Sequence, residues 1–157
     1  MYNEPLAYFI TFRTYGTWLH GDERGSVHES RNKFGTPFIE PDAEWLKYDE
    51  KHLKHDPVAL SDAQRACVDA ALRGVCEHHQ WILHALNVRT NHVHCVVKAN
   101  REKDFVMNSL KAWGTRRLNE AGLNQRGTKV WSRHGSTQYI FTYEKLREKI
   151  DYVLNQQ

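Results

Sequence analysis

Two histidines one residue apart, His92 and His94, sit in the segment Asn91-His-Val-His-Cys-Val-Val-Lys98. On a β-strand, residues at i and i+2 share a face, so both imidazoles could reach one divalent metal. The intervening Val93, Cys95, Val97 and Ala99 are apolar and point the other way, toward a core. Such a pair on an exposed strand face can equally be plain surface chemistry. A second element near the C-terminus, Tyr152-Val-Leu-Asn-Gln156, adds weight to the metal reading. At helical spacing Leu146, Ile150, Val153 and Leu154 fall in one arc of about 100° and predict a buried stripe. Tyr152 and Gln156, four apart, share a neighbouring face. Two imidazoles and the Gln156 amide oxygen leave positions open on a hard ion such as Mg2+ or Mn2+. A scissile phosphate could fill them, with the Tyr152 hydroxyl as attacking nucleophile and a covalent phosphotyrosine as product.

A chain that presents these groups needs a sheet and a C-terminal helix. Residues 7–13 (Ala-Tyr-Phe-Ile-Thr-Phe-Arg) predict a first strand with Tyr8, Ile10 and Phe12 on one face. Residues 14–58 lack periodicity and are rich in Gly, Pro and isolated aromatics, which predicts a long irregular insertion. Ser61 and Gln64 form a capping-box pattern that opens a helix with Ala63, Cys67, Ala70, Ala71 and Val75 as its stripe. Trp81–Val88 reads as a strand with Ile82, Leu86 and Val88 on one face, turning through Arg89-Thr90-Asn91 into the His-bearing strand. A second helix covers about 103–121, with Val106, Leu110, Trp113 and Leu118 as its stripe and Gly122 as its end signal. Val130–Ser132 and Gln138–Phe141 read as two short strands around a turn at His134-Gly135-Ser136. The last helix starts near Tyr143 with Thr142 as its cap. The order predicts one α+β domain over 1–157, a ferredoxin-like split βαβ sandwich. Its antiparallel sheet would carry helices on one face and the two histidines on the free face, plus a C-terminal tyrosine-bearing helix.

Composition agrees with a globular chain: 157 residues, 40% hydrophobic, 26% charged, with a formal charge of +3. The mild basicity permits nucleic-acid binding without demanding it. Cys67, Cys76 and Cys95 show no CxxC spacing and read as small core residues in a reduced, cytoplasmic setting. No apolar run reaches membrane-spanning length, and the N-terminus lacks signal-peptide character. Lys103, Lys111, Arg116 and Arg117 form a basic cluster on the second helix, either a solvated face or a set of phosphate contacts. Tyr15, Trp18, Trp131 and Tyr139 are candidates for stacking the bases of a single strand, or for packing. His78-His79 and His52…His55 read as surface histidines.

The segments Asn91–Val97, Leu110–Leu118, Trp131–Thr137 and Tyr152–Gln156 together resemble the IS200-like (Y1) transposase family. These are the HUH single-strand endonucleases, including REP-associated tyrosine transposases. The opening Tyr8–Gly25 resembles a subgroup of that family, so the likeness spans nearly the whole chain. It implies that His92 and His94 are the metal-binding pair, Gln156 the third ligand and Tyr152 the nucleophile. It further implies cleavage and rejoining of single-stranded DNA, often near hairpins, through a 5′-phosphotyrosine in a cytoplasmic, nucleoid-associated protein. Family members act as monomers or as homodimers with the tyrosine helix supplied in trans. The alternatives are a hairpin-DNA-binding protein of the same fold without chemistry, and a metallohydrolase of small phosphodiesters.

Overall fold

In a computed structural model of the chain, residues 4–17, 56–124 and 128–155 are described here. The elements run β1 (Ala7–Thr14), α1 (Asp62–His79), β2 (Ile82–Val88), β3 (His92–Lys98), α2 (Lys103–Glu120), β4 (Trp131–Ile140) and α3 (Tyr143–Asn155). The four strands form one sheet in the order β2-β3-β1-β4, and the three pairings are all antiparallel. The α+β sandwich expected from the pattern is therefore present. Most of the irregular insertion, with Trp18, His52 and His55, lies outside the described residues.

Alternation along the strands sends one set of side chains to each face. Tyr8, Ile10 and Phe12 of β1 join Val93, Cys95 and Val97 of β3 against Val68, Leu72 and Val75 of α1 and Val106, Leu110 and Leu118 of α2. The capping box at Ser61 and Gln64 is formed, with both reciprocal hydrogen bonds in place. Gly114 lets Trp131 approach α2, since a Cβ there would lie 3.2 Å from the indole. Trp131 is buried, and its Nε1–H donates to the Lys111 carbonyl at 3.0 Å. It is a core residue rather than a base-stacking platform.

The opposite face is not free. Ala7, Phe9, Ala85, Val96 and Ile140 form a second apolar patch, which α3 covers with Leu146, Ile150 and fully buried Val153. Burying a valine contributes about 1.5–3 kcal/mol, so a short helix can dock on one such anchor plus two flanking aliphatics. Leu154, expected in the buried stripe, is 58% exposed, because the helix touches the sheet along a narrower seam.

Two irregularities depart from the simple pattern. In β2, Leu83 pairs with Val97 and Ala85 with Val96, so His84 is an extra, bulged residue. The bulge resets the alternation. Leu83 and Leu86 face α1 and α2, whereas Ile82, expected to share a face with Leu86, is exposed. In place of two short strands around a turn, β4 is one strand. Gly135 is extended within it, opposite Phe12, and an added Cβ would meet the Thr11 carbonyl at 2.6 Å. The irregularity lies just before it, where Ser132, Arg133 and His134 face the single residue Arg13.

Candidate active site

The bulge at His84 puts Asn87 on the same face as the histidines. Register then aligns a polar row across all four strands, Asn87–His94–Thr11–Ser136. Beside it runs a second, shorter row: Arg13 pairs with His92, and the Arg89 N–H donates to the His92 carbonyl at 2.8 Å. The hairpin expected at Arg89–Asn91 is formed.

His92 and His94 lie with ring centroids 4.5 Å apart. Each ring has its Nδ1 engaged. His94 Nδ1 is 2.9 Å from the Thr11 hydroxyl, and His92 Nδ1 is 2.7 Å from the Asn91 side-chain oxygen. An Nδ1–H donated to an oxygen acceptor leaves Nε2 as the lone-pair nitrogen, the state a metal ligand requires. Burial first, and the Arg13 and Arg89 guanidiniums with it, push the His94 imidazole down to about 4. His94 is thus neutral at physiological pH, and ligation needs no proton to be expelled from it.

Tyr152 reaches this row from α3. Its ring stands edge-on to His94 at 5.4 Å and to Phe9 at 5.8 Å, while Phe9 stacks on His94 at 5.9 Å. The tyrosine is 44% exposed, so one side of it is open to a substrate. The Asn87 side-chain amide donates to the Val153 carbonyl at 2.9 Å and ties the tyrosine's turn of helix to β2. Lys149, one turn earlier, places its ammonium 4.7 Å from the Phe9 ring centre and 5.7 Å from that of Tyr152. The spacing of the sequence singled out His92, His94 and Tyr152, and the fold brings all three together. Thr11, Asn87 and Lys149 were not singled out, because cross-strand register and helix docking are invisible in spacing alone. Asn91 could have been found from its place directly before the first histidine.

The donor chemistry fits a divalent ion with open positions. Among the described residues no third His, Cys, Asp or Glu joins the pair. Gln156, the expected amide ligand, lies outside the described residues. A cavity of about 390 Å3 is lined by Thr11 and Arg13, the register partners of the two histidines, and by Ser132, Arg133, His134 and Ser136 among others.

The basic cluster expected on the second helix is dispersed. Lys111 is buried, and its ammonium donates to the carbonyls of Ser132 at 3.0 Å, His134 at 3.3 Å and Arg133 at 3.5 Å. Burial lowers its pKa, and Lys129 lowers it further. It braces the β4 irregularity from inside and cannot contact DNA directly. Lys103 donates to the Thr137 hydroxyl at 2.8 Å at one end of α2. Arg116 and Arg117 are exposed near the other end, about 20 Å away along the helix.

Comparison with known proteins speaks to the fold and the family. No match was found among curated protein sequences. Among solved structures, the chain is similar to a REP-associated tyrosine transposase bound to a REP hairpin. That match has a TM-score of 0.55 and 13% identity, and covers 98% of this chain and 67% of that one. It is also similar to a candidate transposase from Deinococcus radiodurans R1. There the TM-score is 0.54 and the identity 17%, with 99% of this chain and 94% of that one covered. At such identities the likeness speaks for the fold. The family model described as "Transposase IS200 like" matches residues 48–155, more than half of the sequence and all of the elements that build the site, except β1. On that match, the chain belongs to the IS200-like transposase family.

Proposed function

We propose that this protein cleaves and rejoins single-stranded DNA through a phosphotyrosine at Tyr152, at sites associated with hairpins. The observation that carries the reading is the approach of Tyr152 to His94 across the sheet face, with both histidines oriented through Nδ1. The hairpin in the related tyrosine transposase structure supports the choice of DNA.

In this reading His92, His94 and Gln156 would hold Mg2+ or Mn2+. The bound ion would polarise the scissile phosphate and offset the charge that develops on it. The Tyr152 hydroxyl gives up its proton to water and attacks phosphorus. The P–O3′ bond breaks, the 3′ oxygen takes a proton from water, and the 5′ phosphate remains on the tyrosine. Energy of the diester is conserved in that bond, so a 3′-hydroxyl from another strand can reverse the step and join. Arg13 and Arg89 flank the histidines with positive charge suited to the neighbouring phosphates.

Labelled single-stranded hairpin oligonucleotides, taken from DNA flanking the gene and incubated with Mg2+ or Mn2+, test this on a denaturing gel. A protein–DNA adduct that is lost in Tyr152→Phe and in His92→Ala is expected. Hairpin binding without any adduct would instead assign the chain as a binder. Turnover of small phosphodiesters without an adduct would assign a hydrolase.

A further inference from the structure

The end of the sheet remote from the histidines carries a second concentration of chemistry. Of the large apolar side chains that are exposed, Ile82, Phe105, Tyr139, Phe141 and Tyr143 all belong to elements ending or beginning there. Tyr139 is 50% and Phe141 52% exposed, and their rings meet at 5.7 Å. Exposed apolar side chains gathered in one place, rather than scattered singly, mark a contact surface. Cations are interleaved with them. The Arg101 guanidinium lies 3.7 Å from the Phe105 ring centre, and the Lys103 ammonium 5.3 Å from that of Tyr139. A cavity of about 510 Å3 beside them is lined by Tyr8, His79, Ile82, Lys98, Asn100 and Arg101, among others. Glu4 and Glu102 belong to the same rim, and Lys103 pairs with Asp104 at 3.8 Å. The Glu102 carboxylate accepts from the Asp104 and Phe105 N–H groups at the start of α2, which leaves Lys98 and Arg101 as the cations at the cavity.

We propose that this pole is a second DNA site, one that stacks unpaired bases on Tyr139 and Phe141 and holds their phosphates with Lys98 and Arg101. Alternating rings and cations are what a single strand needs, because every base has a stacking face and every linkage a negative charge. A protein partner would be served by a continuous apolar patch with fewer charges at its centre. The site is separate from the reacting centre. Tyr139 pairs with Tyr8 and faces α2, whereas His94 and Thr11 face α3. From His92 to Lys98 the strand advances roughly 20 Å. The pole would therefore grip DNA flanking the reacting phosphate. β4 is the edge strand of the sheet, and its exposed Gln138 lies between Ser136 of the polar row and Tyr139 of the pole.

The inference rests on the DNA reading of the active site, and one experiment separates the two. Binding of a short and a long oligothymidine to the full chain is measured by fluorescence anisotropy. Adduct formation on a short cleavable oligonucleotide is measured in parallel. Replacing Tyr139 and Phe141 by serine should weaken the long oligonucleotide by about tenfold or more, the loss expected for one or two base stacks. Short-oligonucleotide binding and adduct yield should stay as in the parent. Arg101→Gln provides a second variant that leaves both aromatics in place, and it should flatten the salt dependence of long-strand binding. Unchanged affinity for the long strand in both variants, with adduct formation intact, would overturn this site alone. The same result accompanied by loss of self-association would assign the pole to a protein contact. A parent chain that binds neither oligonucleotide and forms no adduct would overturn the DNA reading as a whole.

Discussion

The Thr11 hydroxyl and His94 Nδ1 lie 2.9 Å apart across the β1–β3 ladder, where the two residues are direct register partners. Thr11 is thus the residue that fixes which imidazole nitrogen of His94 faces the site. Thr11→Val keeps the shape and removes the oxygen. Stability should fall by only about 1 kcal/mol. The metal concentration needed for half-maximal adduct formation should rise about tenfold or more, the usual effect of losing such a partner. A variant that matches the parent in a metal titration would show that Thr11 does not orient His94.

Acid should weaken the fold through His94. Its pKa is lowered by burial to about 4 from an ordinary value of 6.5. The unfolded chain therefore binds more protons than the native chain between those two values. Stability rises with pH across that window, and is lost as pH falls from about 6.5 toward 4. The contribution is at most about 3 kcal/mol. Urea midpoints at neutral and mildly acidic pH check this. The parent should lose more on acidification than His94→Asn, and equal losses would count against a buried neutral imidazole.

Lys111 separates structure from DNA contact on α2. Lys111→Met leaves three carbonyls of the β4 irregularity without their shared donor and should cost about 1–3 kcal/mol in thermal or denaturant unfolding. Arg116→Ala and Arg117→Ala remove exposed side chains and should stay within about 0.5 kcal/mol of the parent. If Lys111→Met unfolds like the parent, the ammonium is not a brace.

Gly135 is needed for closeness rather than for a turn. Gly135→Ala would put a Cβ against the backbone oxygen of Thr11 at 2.6 Å and the Met107 sulfur at 2.7 Å. The thioether can swing away; the carbonyl is fixed in the β1–β4 ladder. A loss of about 1–3 kcal/mol is expected. Because Thr11 itself would be displaced, adduct formation should fall more than in Lys111→Met when both are assayed well below their melting temperatures.

The elements themselves were legible because their signals are local. The His-x-His strand alternates, the Ser61–Gln64 box caps, and the last helix repeats at the right spacing. What was not legible depends on partners far away in sequence. His84 looks like one more strand residue until Val96 and Val97 are seen pairing around it. Gly135 reads as a turn because a glycine wanted for closeness and one wanted for bending are the same letter. Lys111 reads as a surface cation because the carbonyls that receive it lie more than twenty positions away. The polar row was likewise hidden. His92, His94 and Tyr152 could be named from spacing, whereas Thr11 and Asn87 became part of the site only through register.

The bulge at His84 has a consequence for how this site tolerates insertions and deletions. Removing that one residue would leave Leu83 opposite Val97 and Ala85 opposite Val96 in a regular ladder, so both halves of β2 would keep their faces. A one-residue insertion or deletion that left the bulge in place would be a different matter, because a single step exchanges inside for outside. If the far half moved, Asn87 would leave the face of His94 and release the Val153 carbonyl that tethers α3. The tyrosine would then lose its mooring with every site residue still present in the sequence. A homologue can therefore keep its whole motif and still be out of phase, and counting residues between motifs is as informative as finding them.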